Sequence, residues 1–79
     1  MKEYDWICNY KNGFARVVIN GRWGFINRQG REICEIKYDD VIDFFETGYG
    51  MVLVDGKVLY IDGNGIEYDK VEKHIRRNK

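Results

Sequence analysis

The 79-residue sequence lacks serine and proline and has one histidine and two cysteines. With no serine, and with Thr47 as its only threonine, catalytic triads built on a hydroxyl nucleophile are essentially excluded. A cysteine–histidine pair would require Cys8 or Cys34 to meet His74, and we interpret the two thiols instead as small hydrophobic side chains. A zinc site would need a fourth ligand and paired ligand spacing. The sequence therefore predicts no catalytic residue, no metal and no other cofactor.

Long apolar runs are also missing, because the chain has none of the roughly 20 residues that a membrane-spanning helix needs. Residues 1–5 do not have the pattern of a secretory signal. Two distant cysteines without such a signal favour free thiols, so we expect a cytoplasmic protein. The length predicts one domain over residues 1–79 with little room for a catalytic cleft. A net charge of zero gives no overall attraction to nucleic acid or anionic lipid.

Two imperfect copies of one unit fill most of the sequence. Gly13–Arg22 reappears as Gly48–Lys57 at an offset of 35, whereas Tyr4–Ile7 reappears as Tyr38–Val41 at an offset of 34. One residue inserted near Phe45–Glu46 accounts for the difference. Internal repeats of this kind decide the fold, because each copy is expected to form the same local structure.

Each copy carries the signal of a tight hairpin. Asn20-Gly21 and Asp55-Gly56 lie between β-branched runs, and these pairs favour a two-residue type I′ turn because both positions need a positive φ. The first turn places Val18 opposite Trp23, and the second sets the same register in its own copy. Since apolar residues fall on both faces of each hairpin, we expect a sheet that is covered on both sides, at least in part, and the pattern is compatible with one sheet or with two.

The sequence therefore predicts an all-β fold of two tandem antiparallel meander or hairpin repeats. The first repeat is expected at about residues 4–37 and the second at about residues 38–68. Short third strands are predicted at 31–35 and 66–68, after turns rich in asparagine, aspartate and glycine.

The C-terminal tail differs from the repeats in both pattern and charge. Val71 and Ile75 are spaced as on one face of a helix, so a short C-terminal helix is predicted at about residues 69–78. Its basic residues are Lys70, Lys73, Arg76, Arg77 and Lys79. They can contact phosphates, which makes nucleic-acid binding the alternative function, although the zero net charge weighs against it.

Three segments, Gly21–Ile26, Gly30–Ile33 and Lys37–Asp40, together resemble the WG repeat, a bacterial family of short β-rich repeats named for its Trp-Gly pair. The resemblance covers roughly residues 4–68 and is weaker in the second copy, where Val58-Leu59 replace the pair. The family often carries prolines before its Lys-Tyr-Asp element, and this chain has none. The resemblance implies an interaction module without a common activity or cofactor.

We therefore expect a non-catalytic protein–protein interaction module. A second copy of the chain is among the candidate partners, since open repeat ends and exposed strand edges favour pairing. The residues predicted to contact a partner are aromatic or acidic: Trp6, Tyr10, Asp39, Asp40, Asp43, Phe45, Glu46 and Tyr49. Trp23 and Phe25 are expected in the core, whereas for Trp6, Tyr10 and Phe45 the core and the interface are equal alternatives.

The acidic segment Glu35–Glu46 supports a sharper hypothesis. Five of its residues are acidic and one, Lys37, is basic. Such a segment can imitate a phosphate backbone electrostatically, so the chain would be a small inhibitor or immunity-type protein, associated with a phage or a toxin, that blocks an effector.

Overall fold

The computed structural model describes residues 3–69, which form seven β-strands in two antiparallel sheets. The first sheet contains β1 (Trp6–Ile7), β2 (Phe14–Ile19) and β3 (Arg22–Asn27) in that order. The second sheet contains β4 (Asp40–Ile42), β5 (Tyr49–Val54), β6 (Lys57–Asp62) and β7 (Glu67–Tyr68) in that order.

The all-β class with two tandem antiparallel repeats is confirmed, but the predicted helix at 69–78 is not supported. Its residues lie outside the described part of the chain except for Asp69, and residues 3–69 contain no helix. It follows that these residues include no helix able to span a membrane.

The register of both hairpins is confirmed. β2 pairs with β3 so that Val18 lies opposite Trp23, and β5 pairs with β6 in the equivalent register. Asn20 and Asp55 have φ angles of 52° and 53°, and the glycine after each also has a positive φ. These are the backbone angles of type I′ turns, whose twist matches that of the strands they connect.

One of the two predicted third strands is wrong in extent. The strand predicted at 66–68 is observed as β7. The strand predicted at 31–35 is reduced to a single bridge between Ile26 and Glu32. The free edge of β3 explains the difference, because Tyr38 also pairs there, with Trp23. Residues 34–37 must therefore leave that edge and return to it, so they cannot continue as a strand.

The two sheets are joined through Tyr38. Its backbone exchanges hydrogen bonds of 2.8 and 3.1 Å with Trp23 of β3, and the next residue, Asp39, donates its backbone N–H to Leu53 of β5. The chain thus changes sheet at a single residue. One face of the second sheet, which we call the inner face, lies against the first sheet as a result.

The core lies between the first sheet and the inner face of the second. Phe44 stacks on Phe14 with ring centres 4.1 Å apart and meets Phe25 edge-on at 4.9 Å. The buried residues of this cluster are Phe25, Tyr38, Val41, Phe44, Val52 and Ile61. The prediction that Phe25 belongs to the core is confirmed, and Trp23 packs beside it half-buried.

The opposite face of the first sheet holds a smaller cluster. Ala15, Val17 and Ile26 are buried there, with Tyr4 and Ile36 packed over them. The first sheet is therefore covered on both sides, as expected.

Gly24 belongs to the same face and allows the connection between the repeats to pass close to β3. A Cβ atom at Gly24 would lie 2.5 Å from Cδ1 of Ile36 and 3.2 Å from its Cα. In the second copy the equivalent residue is Leu59, whose own side chain packs against the core. The volume that Ile36 fills in the first repeat is thus filled by the strand itself in the second.

Candidate interaction surface

A tyrosine–glutamate hydrogen bond fastens the start of each repeat to its own third segment. Tyr4 donates its hydroxyl proton to Glu32 at 2.9 Å, and Tyr38 donates to Glu67 in the same way. Burial, reinforced by the bond to Glu32, raises the pKa of Tyr4 to about 12. The bond from Tyr38, together with Lys37 at 3.3 Å, lowers the pKa of Glu67. These polar contacts hold the repeats together internally.

Asp39, one of the predicted contact residues, has a structural role. Its Oδ2 accepts the backbone N–H of Asp55 at 3.1 Å, and its Oδ1 pairs with Arg22 of the first repeat. Asp5 is the equivalent residue of the first repeat and accepts the backbone N–H of Asn20 at 2.8 Å. The aspartate of each Tyr-Asp element therefore stabilises the hairpin turn of its own repeat.

Asp43 is likewise engaged inside the molecule. Its carboxylate lies 2.8 Å from Nε of Arg16, whose guanidinium is 5.8 Å from the centre of the Trp23 ring. Close by, Nδ2 of Asn12 donates to the backbone oxygen of Phe44 at 2.7 Å. Both contacts join the first hairpin to the start of the second repeat, so Asp43 contributes to the contact between repeats.

Phe45 and Glu46 lie next to each other in the turn that connects β4 and β5. Phe45 is 43% exposed, and Gly48 closes the turn with a φ of 95°. The equivalent turn of the first repeat, between Lys11 and Phe14, is one residue shorter. The predicted insertion near Phe45–Glu46 is therefore confirmed, and it places these two residues beside a shallow depression.

The remaining predicted contact residues are dispersed. Trp6 is 66% exposed on the edge strand β1, and Asp40 is exposed on β4. Tyr10 is 38% exposed, and its hydroxyl donates to the backbone oxygen of Asn27 at 2.8 Å. Tyr49 is half-buried with its ring edge-on to another tyrosine of the second sheet. The structure thus brings together only some of the eight residues that sequence reasoning selected.

The described residues offer little for covalent or metal chemistry. Cys8 and Cys34 are unpaired and half-buried, and burial raises the pKa of the Cys34 thiol, which disfavours the reactive thiolate. Residues 3–69 contain no cluster of three or more side chains arranged to hold a metal ion. The basic residues predicted to contact nucleic acid, Lys70, Lys73, Arg76, Arg77 and Lys79, lie outside the described part of the chain.

Sequence reasoning did not select one apolar surface that the second sheet exposes. We call it the outer face, the side of the second sheet that points away from the first sheet. Its register rows place Ile42 beside Met51 and Tyr60, and Leu53 beside Val58. Ile42 is 50% exposed and Val58 49%, and a shallow apolar groove runs between them. The two-sided coverage expected of this sheet is therefore not seen within residues 3–69.

The equivalent face of the first sheet behaves differently because the second repeat covers it. Phe25, which corresponds to Tyr60, is fully buried, and Trp23, which corresponds to Val58, is half-buried. The sequence did contain a signal for the outer face, since the alternation of apolar residues put Val58 and Tyr60 opposite the core-facing residues. The alternation alone does not show whether a face is covered. Within residues 3–69, no other element covers the face that carries Val58 and Tyr60.

Comparison with known proteins gives one family. The model described as "WG containing repeat" matches residues 2–23 and residues 23–57 as two adjacent copies. The two matches meet at Trp23, the residue of β3 that pairs with Tyr38 and joins the sheets. No curated protein and no solved structure matches the chain.

Proposed function

Because the chain belongs to the WG repeat family, we propose that it is a non-catalytic protein-interaction module that binds a protein partner through the outer face. The main support is the difference in exposure between two equivalent residues, Trp23 in the first repeat and Val58 in the second. Trp23 is half-buried by the second repeat, whereas Val58 is 49% exposed among the described residues. The first repeat uses this face to bind the second repeat, whereas the second repeat leaves the same face exposed among the described residues.

The composition of the outer face supports protein binding. Contiguous apolar surface on a small domain commonly marks an interaction site. Tyrosine and methionine are enriched where proteins meet, and this face carries Tyr60 and Met51 next to Ile42 and Val58. Removing such surface from water is worth about 25 cal/mol per Å², which gives a partner a direct thermodynamic reason to bind here.

The inhibitor or immunity-type function is a finer version of this proposal. Within the acidic segment, Asp39 is paired with Arg22 and Asp43 with Arg16. Asp40 and Glu46 are exposed and have no ion pair within residues 3–69. This pairing favours apolar docking over phosphate imitation as the way in which such an inhibitor would bind. The unpaired thiols support placing this activity in a reducing compartment such as the cytoplasm.

Capture of binding partners from a lysate of the native organism, with matched variants of the chain, tests the proposal. The tagged 79-residue chain is compared with Val58→Glu and Ile42→Glu, each of which puts a charge on the outer face. Ile66→Glu is the control, because Ile66 is 52% exposed, similar to Val58 and Ile42, but lies directly before β7 and does not line the groove between those two residues. Circular dichroism confirms that every variant is folded before its partners are identified by mass spectrometry.

We expect partners that the wild type and Ile66→Glu retain and that both outer-face variants lose. Substitutions at Trp6 and Phe45 belong in the same panel, because these exposed aromatic side chains are the sequence-based alternatives. Partner recovery that is unchanged by Val58→Glu and Ile42→Glu but lost with Trp6→Ala or Phe45→Ala would move the binding site elsewhere and refute the proposal.

A further inference from the structure

The first repeat exposes a surface that matches the outer face. Ile7 and Tyr10 occupy the positions that Val41 and Phe44 occupy in the second repeat. Val41 and Phe44 are only 3% and 1% exposed, because they pack in the core between the repeats, whereas Ile7 and Tyr10 are 50% and 38% exposed. The positions of Val41 and Phe44 are therefore present a second time and exposed within residues 3–69, beside Val17 and Ile26, which Tyr4 and Ile36 already cover.

We infer that the outer face binds the first repeat of a second copy of this chain, so that copies associate head to tail. This inference rests on the proposed function and names the partner of the same surface. In the contact, Ile7 and Tyr10 of one copy pack against Val58 and Tyr60 of the next. The pattern is that of Val41 and Phe44 against the first sheet within one chain.

The strand edges match as well. Inside the chain, Tyr38 extends the edge of β3 by exchanging two backbone hydrogen bonds with Trp23. The equivalent residues are Tyr4, at the start of the first repeat, and Val58 on β6. β7 pairs with β6 only at Tyr60 and beyond, so the edge at Val58 is open among the described residues. An exposed edge of this kind accepts a further strand, and Tyr4 of the second copy supplies it.

Charge complementarity is preserved at the same place. Arg22 and Asp39 form an ion pair between the repeats. Their equivalents are Lys57, exposed on β6, and Asp5. The turn bond that orients Asp39 is repeated at Asp5, so its carboxylate is held in the same orientation. In the head-to-tail contact Lys57 of one copy therefore meets Asp5 of the next.

The internal ion pair between Arg16 and Asp43 is not reproduced between copies. The ion pair of Arg16 with Asp43 has Met51 and Asn9 at the equivalent positions. Association between copies is therefore weaker than the contact within the chain, and it depends on concentration. Because the two surfaces differ, the contact is heterologous, and such contacts generate open chains of subunits when the rotation does not close.

Complementation between two blocked variants tests the inference. Ile7→Glu blocks the first-repeat surface, Val58→Glu blocks the outer face, and Ile66→Glu is the control because its equivalent, Arg31, is exposed within the chain. Sedimentation velocity of the wild type and the control is expected to show an average mass that rises with concentration beyond two chains. Each blocked variant alone is expected to be monomeric. Their equimolar mixture is expected to form a two-chain complex through the one intact pair of surfaces.

Lys57→Glu provides a second test that leaves the apolar contacts in place. A like-charge contact with Asp5 replaces an attractive one, so we expect self-association to weaken by roughly tenfold, about 1.4 kcal/mol. Self-association of Val58→Glu alone, or a mixture that stays monomeric although both variants are folded, would overturn the inference. A monomeric wild type would also overturn it. If host-partner capture still depended on Val58 in that case, the proposed function would stand with a different partner.

Discussion

Replacing Gly24 with alanine tests why a glycine follows Trp23. A Cβ atom here lies 2.5 Å from Cδ1 of Ile36 and 3.2 Å from its Cα. Carbon atoms in favourable contact are about 3.5–4.0 Å apart, so the side chain must change rotamer and the backbone must shift. Overpacking costs about 1–3 kcal/mol, and replacing glycine inside a strand returns about 0.5–1 kcal/mol. The difference spans about 0–2.5 kcal/mol, and because the new atom also meets backbone we expect a net loss of about 1–2 kcal/mol.

Thermal unfolding followed by circular dichroism measures this loss. For a domain of this size 1 kcal/mol lowers Tm by about 4–8 °C, so Gly24→Ala should lower it by about 4–16 °C. Ile36→Val supplies the matched control, since it removes the Cδ1 atom that lies closest to the new methyl group. In the wild type this truncation should destabilise the fold, whereas in the Gly24→Ala background it should be neutral or stabilising. The difference is the coupling energy of a double-mutant cycle.

Two results would refute this reasoning. One is a Gly24→Ala variant as stable as the wild type, which would mean that the connection moves aside at no cost. The other is an Ile36→Val truncation that costs the same in both backgrounds, because additivity would show that the two residues are not in direct conflict.

Two further predictions concern single positions in the second repeat. Gly65→Ala should abolish the cooperative unfolding transition, because the new Cβ would lie 1.8 Å from the backbone oxygen of Ile33 at a φ of +84°. Gly56 has a φ of +77° and open space around it, so Gly56→Ala should cost only about 1–2 kcal/mol of backbone strain. If Gly65→Ala and Gly56→Ala lowered the free energy of unfolding equally, this account would be contradicted. Tyr38→Phe removes the hydrogen bond that lowers the pKa of Glu67. This bond stabilises the fold fully when the pH is above 4.5, the ordinary pKa of a glutamate, and its contribution is lost as the pH falls through the lower pKa of the folded state. Urea unfolding should therefore show a difference between wild type and Tyr38→Phe that is largest near neutral pH and shrinks in acid, and a constant difference would argue against it.

Local chemistry explains why the hairpins could be predicted from the sequence. Asn20-Gly21 and Asp55-Gly56 tolerate positive φ, and a two-residue turn leaves one possible register for the strands on either side. The repeat offset predicted the insertion at Phe45–Glu46 for a similar reason, since an added residue changes turn length without altering the strands. None of these predictions required knowledge of how the sheets pack.

The contact residues were harder to predict because charge pairing depends on distant parts of the chain. Asp39 and Asp43 are acidic residues in an acidic segment, yet they meet Arg22 and Arg16 of the other repeat. The outer face was missed for the opposite reason. Val58 and the residues beside it have the same alternation as covered strands, and periodicity reports which residues share a face without reporting whether that face is covered.

The sequence by itself determined that this chain is built from two copies of an antiparallel hairpin with a fixed register, because turn chemistry and alternation act over a few residues. Only the tertiary structure decided which faces are buried. That outcome depends on Tyr38, which carries the chain from the edge of β3 to β5 and turns the inner face of the second sheet onto Phe25. Equivalent residues consequently have unequal surroundings, and this inequality leaves Ile7 and Val58 exposed, the two residues on which the proposed association between copies depends.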